Sequence, residues 1–319
     1  MPRVLSSIAL SKGSRVPRRL VVDAACKVNL VLEVLGKRAD GYHELATVMQ
    51  AVDLGDRIVL ESHDGLELRT VSPGVPADAS NLAMRAARAL REAAGVDRGA
   101  RITLDKRIPV AAGLGGGSTD AAAVLLGLNR LWGLRWPVAR LESVAVTLGM
   151  DVPFFLRGGI ALATGRGERL EPLAGGAMAL VLVHPKRALS TAEVYGRVTP
   201  AMYSDGARAR ALVAALATRR SARVAATLYN GLEPAVAPGL PDIAKMKAAL
   251  LAAGALGAAM SGSGPTVFGV ARSFEHARQI RGRLARGSWE CWAVRSLTGP
   301  ALRFRTGRLG AGSLRGGRR

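Results

Sequence analysis

Residues 109–132, PVAAGLGGGSTDAAAVLLGLNRLW, set four glycines between a proline and an alanine- and leucine-rich run. Glycines let a backbone approach a ligand closely and expose several N–H groups. A helix beginning behind them adds unpaired N–H groups and the positive end of its dipole. Gly113, Gly115, Gly116 and Gly117, followed by Ser118 and Thr119, thus suit an anion, phosphate above all. The Walker pattern fails, because Gly117 is followed by Ser118 and not by lysine. The dinucleotide fingerprint fails too: the sixth position is Ser118 counted from Gly113, and Asp120 counted from Gly115. An ordinary tight loop before a helix competes with the phosphate reading, and the loop alone does not decide between them.

Other residues could do chemistry beside it. Alternation in LVVDAACKVNLVLEVL puts Lys27, Asn29 and Val31 on one strand face and Val28, Leu30 and Leu32 on the other. Asp151 follows a helix-ending glycine in GMDVP, where a cap or turn is the common role of aspartate. Tyr42 offers an aromatic face and His43 a hydrogen-bonding ring in a polar, turn-rich loop. Gly262, Ser263, Gly264 and Pro265 read as a turn between two strands. The four histidines and two distant cysteines form no metal-ligand spacing, so no protein-built metal centre is expected.

The elements that must position these groups follow from period and punctuation. Residues 20–35 are expected to form a strand or strand pair. RIVLESHDGLELRT reads as a hairpin about Asp64-Gly65. Ser80 or Asn81 caps a helix running to Ala94, with Gly95 as its stop. RITLDK is a strand with Lys106 at its end. Ser118, Thr119 and Asp120 are N-cap candidates for a helix over 121–132, and Pro137 opens another with Leu141, Val144, Ala145 and Leu148 inward. Further on, ALVLVHP, ALGAAM and TVFGVA read as strands, and residues 241–253 and 274–286 as helices. Strands and helices without strict alternation favour an α+β class over a doubly wound sheet.

The 319 residues suit two domains, and nearly half are hydrophobic. No apolar run reaches membrane-spanning length, so no membrane partner is expected. Cysteine usage fits a reduced cytoplasm. The net charge is +21, but removing the five basic residues of the first 19 and the six of the last 17 leaves +10. That remainder suits anionic ligands. Residues 1–19 read as a basic disordered leader and 303–319 as a basic disordered tail.

Three segments, KVNLVLEV, PVAAGLGGGSTDAAA and SGSGPTVFG, resemble in this order the GHMP kinase superfamily of small-molecule kinases. Within it, KVNLVLEVLGKRADGYHEL, SNLAMRAARAL, ITLDKRIPVAAGLGGGSTDAAA and LGMDVPFFLRGGIALATGRGE are similar to the 4-diphosphocytidyl-2-C-methyl-D-erythritol kinases. DGYHEL is the most specific piece, and the likeness spans residues 20–300.

The resemblance implies a two-domain GHMP kinase fold. A ribosomal protein S5 domain 2-like N-terminal domain is expected over 20–172 and a ferredoxin-like C-terminal domain over 173–302. It implies transfer of the γ-phosphate of ATP, with Mg²⁺, to the 2-hydroxyl of 4-diphosphocytidyl-2-C-methyl-D-erythritol, in the non-mevalonate route to isoprenoid precursors. Asp151 would be the base and Lys27 its cationic partner. Pro109, Val110, Ala111, Ala112, Gly113, Leu114, Gly115, Gly116, Gly117, Ser118 and Thr119 would wrap ATP, with Asn81 and Lys106 as nucleotide contacts. Ala111 and Ala112 stand where some relatives carry glycine. Ser118 would touch Mg²⁺. Asn29, Tyr42, His43, Thr191, Tyr195, Gly262, Ser263 and Gly264 would line the acceptor site, with Tyr42 and His43 at the cytidine end. A monomer or homodimer is expected. The competing readings are a homoserine- or mevalonate-type kinase, and an added nucleic-acid role for the basic ends.

Overall fold

The computed structural model describes residues 19–285 and 287–305. The chain opens with two long antiparallel strands, β1 (Arg19–Lys37) and β2 (His43–His63). β3 (Leu66–Thr70), α1 (Leu82–Ala94), β4 (Gly99–Asp105), α2 (Gly116–Leu131), α3 (Val138–Leu148), α4 (Val152–Arg157), β5 (Ile160–Gly165) and β6 (Arg169–Pro172) follow. The second half runs β7 (Ala179–His184), α5 (Thr191–Gly196), α6 (Ala207–Ala217), α7 (Ser221–Ala225), β8 (Tyr229–Asn230), α8 (Glu233–Val236), α9 (Asp242–Ala252), β9 (Gly257–Met260), β10 (Val267–Ala271), α10 (Phe274–Leu284), β11 (Glu290–Arg295) and β12 (Leu302–Arg305).

One sheet of eight strands has the spine β12-β1-β2-β4-β3; β5 joins the first half of β2, β6 joins β5, and β8 joins β1. The other sheet has four strands in the order β11-β7-β10-β9. Numbered within that half, the order is 4-1-3-2 with helices on the crossovers, the ferredoxin-like arrangement expected. The two halves give the α+β, two-domain architecture that the resemblance implies.

Three cores hold the layers together. Leu20, Val22, Ile58 and Leu60 of the first sheet pack against Leu90 of α1, Leu125 and Leu128 of α2, Leu141 of α3 and Phe154 of α4. Val28, Leu30, Val31 and Val48 pack with Leu180 and Leu182 of β7, Leu212 of α6 and Phe268 of β10, between the two sheets. Val181 and Val183 turn the other way, against Met246 and Leu250 of α9 and Ile280 of α10. β7 is therefore covered on both faces, which is why ALVLVH reads as a continuous apolar run.

Several sequence expectations change here. The Asp64-Gly65 hairpin does not form: β4 lies between β2 and β3, antiparallel to β2 and parallel to β3. The Asp-Gly turn only redirects the chain, and β4 serves as the ladder partner of both strands. β1 carries a register shift between Asn29 and Val31, and this bulge moves Val31 off the face of Lys27 and into the core of Val28 and Leu30. The glycine-loop helix starts at Gly116, with Gly115 as its N-cap at φ 70°, so Ser118, Thr119 and Asp120 lie inside the helix and cap nothing. Arg303, Phe304 and Arg305 belong to β12, paired with Val21–Asp23, and not to a tail. The leader (residues 1–18), the rest of the tail (306–319) and Arg286 lie outside the described residues.

Candidate active site

The middle of β1 carries Lys27 and Asn29 into a space closed by three loops. The Lys27 ammonium donates to Asn29 Oδ1 at 2.6 Å and stands 3.4 Å from Asp151 Oδ2. The Asn29 amide donates to Thr47 Oγ1 at 2.8 Å, and that hydroxyl donates to the Val31 carbonyl at 2.6 Å. This geometry lets Asn29 aim Lys27. Lys27 is buried, whereas the Asp151 carboxylate keeps 35% of its surface.

Asp151 occupies the N-cap position of α4, yet its side chain makes no capping hydrogen bond. A cap aspartate normally accepts a backbone N–H. This one is left to face Lys27 and solvent, the arrangement a proton acceptor requires.

The glycine loop lies against the same lysine. The Lys27 N–H donates to the Leu114 carbonyl at 3.1 Å. A Cβ on Gly115 would lie 3.2 Å from Lys27 Cε, and one on Gly262 would lie 3.2 Å from Lys27 Nζ. Ser261 joins all three motif segments: its hydroxyl donates to the Gly113 carbonyl at 3.0 Å and accepts the Asn29 N–H at 3.3 Å. The Thr266 N–H reaches Ala112 O and the Leu189 N–H reaches Ala111 O, so the second half of the chain grips the loop twice more. Asn230 in turn donates to the carbonyls of Met260 and Gly262 at 2.8 Å each. Gly116, Gly117 and Ser118 form the first turn of α2, whose N–H groups have no intrahelical partner. Ala111 and Val110 are exposed at the rim beside Pro109, with Ala111 at φ 51°.

Around the far side, Thr191 Oγ1 and Ser263 Oγ are 2.9 Å apart, and Gly264 reaches back to Ser261 through its N–H. The His43 and Tyr195 rings lie 5.5 Å apart, with Tyr203 at 6.5 Å from His43. Burial, joined by the charge of Asp151, pushes the Tyr195 phenol well up. Burial and then Lys37 push His43 down. Tyr42 is half exposed, with the Arg166 guanidinium 5.1 Å from its ring centroid.

Two expected nucleotide contacts are otherwise engaged. Asn81 caps α1, accepting the Ala83 N–H at 3.0 Å and donating to Pro76 O. The Lys106 ammonium is buried against Asp56 and Asp120, 2.8 Å from Asp120 Oδ2. Burial works to lower the Lys106 pKa, but the two carboxylates outweigh it and raise it. Burial raises the Asp120 carboxyl well above the usual carboxylate range, despite Lys106. Sequence reasoning missed Asp56, Ser261, Asn230 and Tyr203. Ser261 opens the quoted SGSGP turn and could have been found there; the others sit in no local pattern.

The fold and this arrangement of loop, lysine and aspartate define a small-molecule kinase of the GHMP class. Residues 81–159 match the GHMP kinases N terminal domain and residues 211–290 the GHMP kinases C terminal domain. The 4-diphosphocytidyl-2-C-methyl-D-erythritol kinase of Pelotomaculum thermopropionicum is 49% identical over 266 residues, 82% of this chain and 93% of that protein. That of Symbiobacterium thermophilum is 47% identical over 280 residues, 86% and 99% respectively. A crystal structure of a 4-(cytidine 5'-diphospho)-2C-methyl-D-erythritol kinase superposes with a TM-score of 0.75 at 39% identity, covering 86% of this chain and 98% of that one. Homoserine kinase from Cytophaga hutchinsonii gives 0.72 at 22% identity, covering 94% and 100%, a likeness of fold alone. The chain belongs to the 4-diphosphocytidyl-2-C-methyl-D-erythritol kinase family.

Proposed function

We propose that the protein transfers the γ-phosphoryl group of ATP to the 2-hydroxyl of 4-diphosphocytidyl-2-C-methyl-D-erythritol, with Asp151 as the proton acceptor. The uncapped Asp151 carboxylate beside a buried Lys27 carries this reading. As the hydroxyl oxygen bonds to the γ-phosphorus, its proton passes to Asp151, the bond to the β-phosphate oxygen breaks and ADP leaves. Lys27, aimed by Asn29, offsets the negative charge that builds on the attacking oxygen. The first-turn N–H groups of α2 and the glycine backbone receive the phosphates.

Among the described residues no group of three or more His, Cys, Asp or Glu side chains is gathered to hold a metal. A cation would be held chiefly by phosphate oxygens, with the half-buried Ser118 hydroxyl as the chain's own ligand. Magnesium bound this way offsets the charge on the phosphates. Tyr42, His43 and Tyr195 form the wall for the cytidine end, and Thr191 with Ser263 the floor nearer the polyol. Residues 20–172 and 173–302 serve as the two domains, with β8 and β12 lent back to the first sheet.

The test is ATP consumption with magnesium and this acceptor, beside Asp151→Asn. Acceptor-dependent turnover that falls about 10²–10⁴-fold in the variant supports substrate and base together. Turnover that survives removes Asp151 from its role. No turnover with this acceptor, but turnover with homoserine or mevalonate, overturns the substrate.

A further inference from the structure

Lys106 lies behind the glycine loop rather than in it. Its ammonium ties together three segments that are far apart in the chain. Asp56 comes from β2, and its other carboxylate oxygen accepts the N–H groups of Arg107 and Ile108, at 2.6 and 2.9 Å, just before the loop begins. Asp120 is the fifth residue of α2 and is almost wholly buried. Gly116, the first residue of that helix, is so close that a Cβ on it would lie 3.1 Å from Lys106 Nζ. One Asp120 oxygen meets Lys106, while the other, like the neighbouring Thr119 hydroxyl, is buried without a partner. A carboxylate fixed this close to a phosphate-binding helix end would oppose phosphate unless a cation balanced it.

We propose that Lys106, Asp56 and Asp120 are a positioning cluster: Lys106 governs phosphate binding by holding the N-terminal end of α2 through Asp120, without touching the nucleotide. This rests on the reading that the glycine loop receives the phosphates of ATP. It reassigns Lys106 from the contact role that resemblance gave it. Lys106 holds the entry to the loop and the start of the helix in fixed relation, so the N–H groups that meet the phosphates keep their aim.

A double-mutant cycle tests it, reading the binding of ADP and of adenosine by calorimetry together with KM for ATP and kcat. Lys106→Met should weaken ADP about tenfold or more and raise KM for ATP, while adenosine binding stays within about threefold. In an Asp120→Asn background the same Lys106→Met change should cost ADP binding less than about threefold. An equal loss in both backgrounds means direct contact with the phosphates and overturns the proposal. A parallel loss of adenosine means contact with the nucleoside or general damage, and also overturns it. If Lys106→Met does not fold, Lys106→Arg replaces it in the same cycle: an ADP-selective loss that shrinks in the Asp120→Asn background supports the cluster, and an equal loss in both backgrounds or a parallel loss of adenosine overturns it. Wild-type protein that binds adenosine and ADP equally would show that the loop holds no phosphate, sinking the underlying reading before any variant is compared.

Discussion

Ser261 and Gly113, 148 positions apart, are joined by a 3.0 Å hydrogen bond from the serine hydroxyl to the glycine carbonyl. A Cβ on Gly113 would overlap the Ser261 carbonyl oxygen, and the residue stands at φ 76°. Both features demand glycine. At Gly117, four residues on, a Cβ would find only Leu82 Cδ2, at 3.9 Å, and φ is unremarkable.

The two glycines therefore separate structure from binding. Gly113→Ala should cost about 2 kcal/mol or more of stability, through strain and a displaced Ser261 loop. Gly117→Ala should leave the melting temperature unchanged or slightly raised, since alanine favours the helix, yet raise KM for ATP by crowding the phosphate face. Thermal melts paired with KM measurements check this; equal melting losses would remove the packing argument.

Lys27→Met should lower kcat about 10²-fold or more while KM for ATP changes by under about fivefold. The buried Asn29 Oδ1 would lose its donor, so a stability loss of about 1–3 kcal/mol should accompany it. Steady-state kinetics with urea titrations read both effects. A large rise in KM with kcat unchanged would mean that Lys27 binds a substrate uniformly rather than serving the transition state.

His184, at the end of β7, sets a pH limit. Burial holds its imidazole down at about 4, with Nδ1 3.2 Å from the Thr266 hydroxyl. Unfolded, the ring titrates near about 6.5. Between these values the unfolded chain binds the extra proton, so stability is full above about pH 6.5 and falls as pH drops toward about 4, by about 2–3 kcal/mol. His184→Gln should flatten that slope. Identical pH dependence in urea unfolding of the two proteins would exclude His184 as its source.

Much of the fold was legible because its punctuation is local. Asn81 and Gly95 bound α1 as the sequence indicates, since cap chemistry needs only neighbouring residues. The site's linear motifs, Lys27-x-Asn29, the glycine loop and SGSG, do converge. What escaped was decided by distant partners. The Asp64-Gly65 turn has the chemistry of a hairpin, but β4 inserts from 34 residues along. The phase of β1 beyond Asn29 hangs on a bulge opposite β2. Between α5 and α8 three of the four helices, α5, α7 and α8, have only six, five and four residues, too few to display an apolar period. Asp56 gains its meaning only from a lysine and two backbone N–H groups across the sheet.

β12 gives the first sheet a debt of time. Val21 to Ala24, near the front of β1, pair with Leu302 to Arg305. A ribosome adding about 5–20 residues each second needs roughly 15–60 s to supply that partner after β1 has left it. Through that interval the β1 edge stands open to any passing strand. β12 thus links the order of synthesis to yield: a nascent chain stalled before Leu302 would carry nearly the whole active site and still be prone to self-association, a burden that falls on chaperones rather than on catalysis.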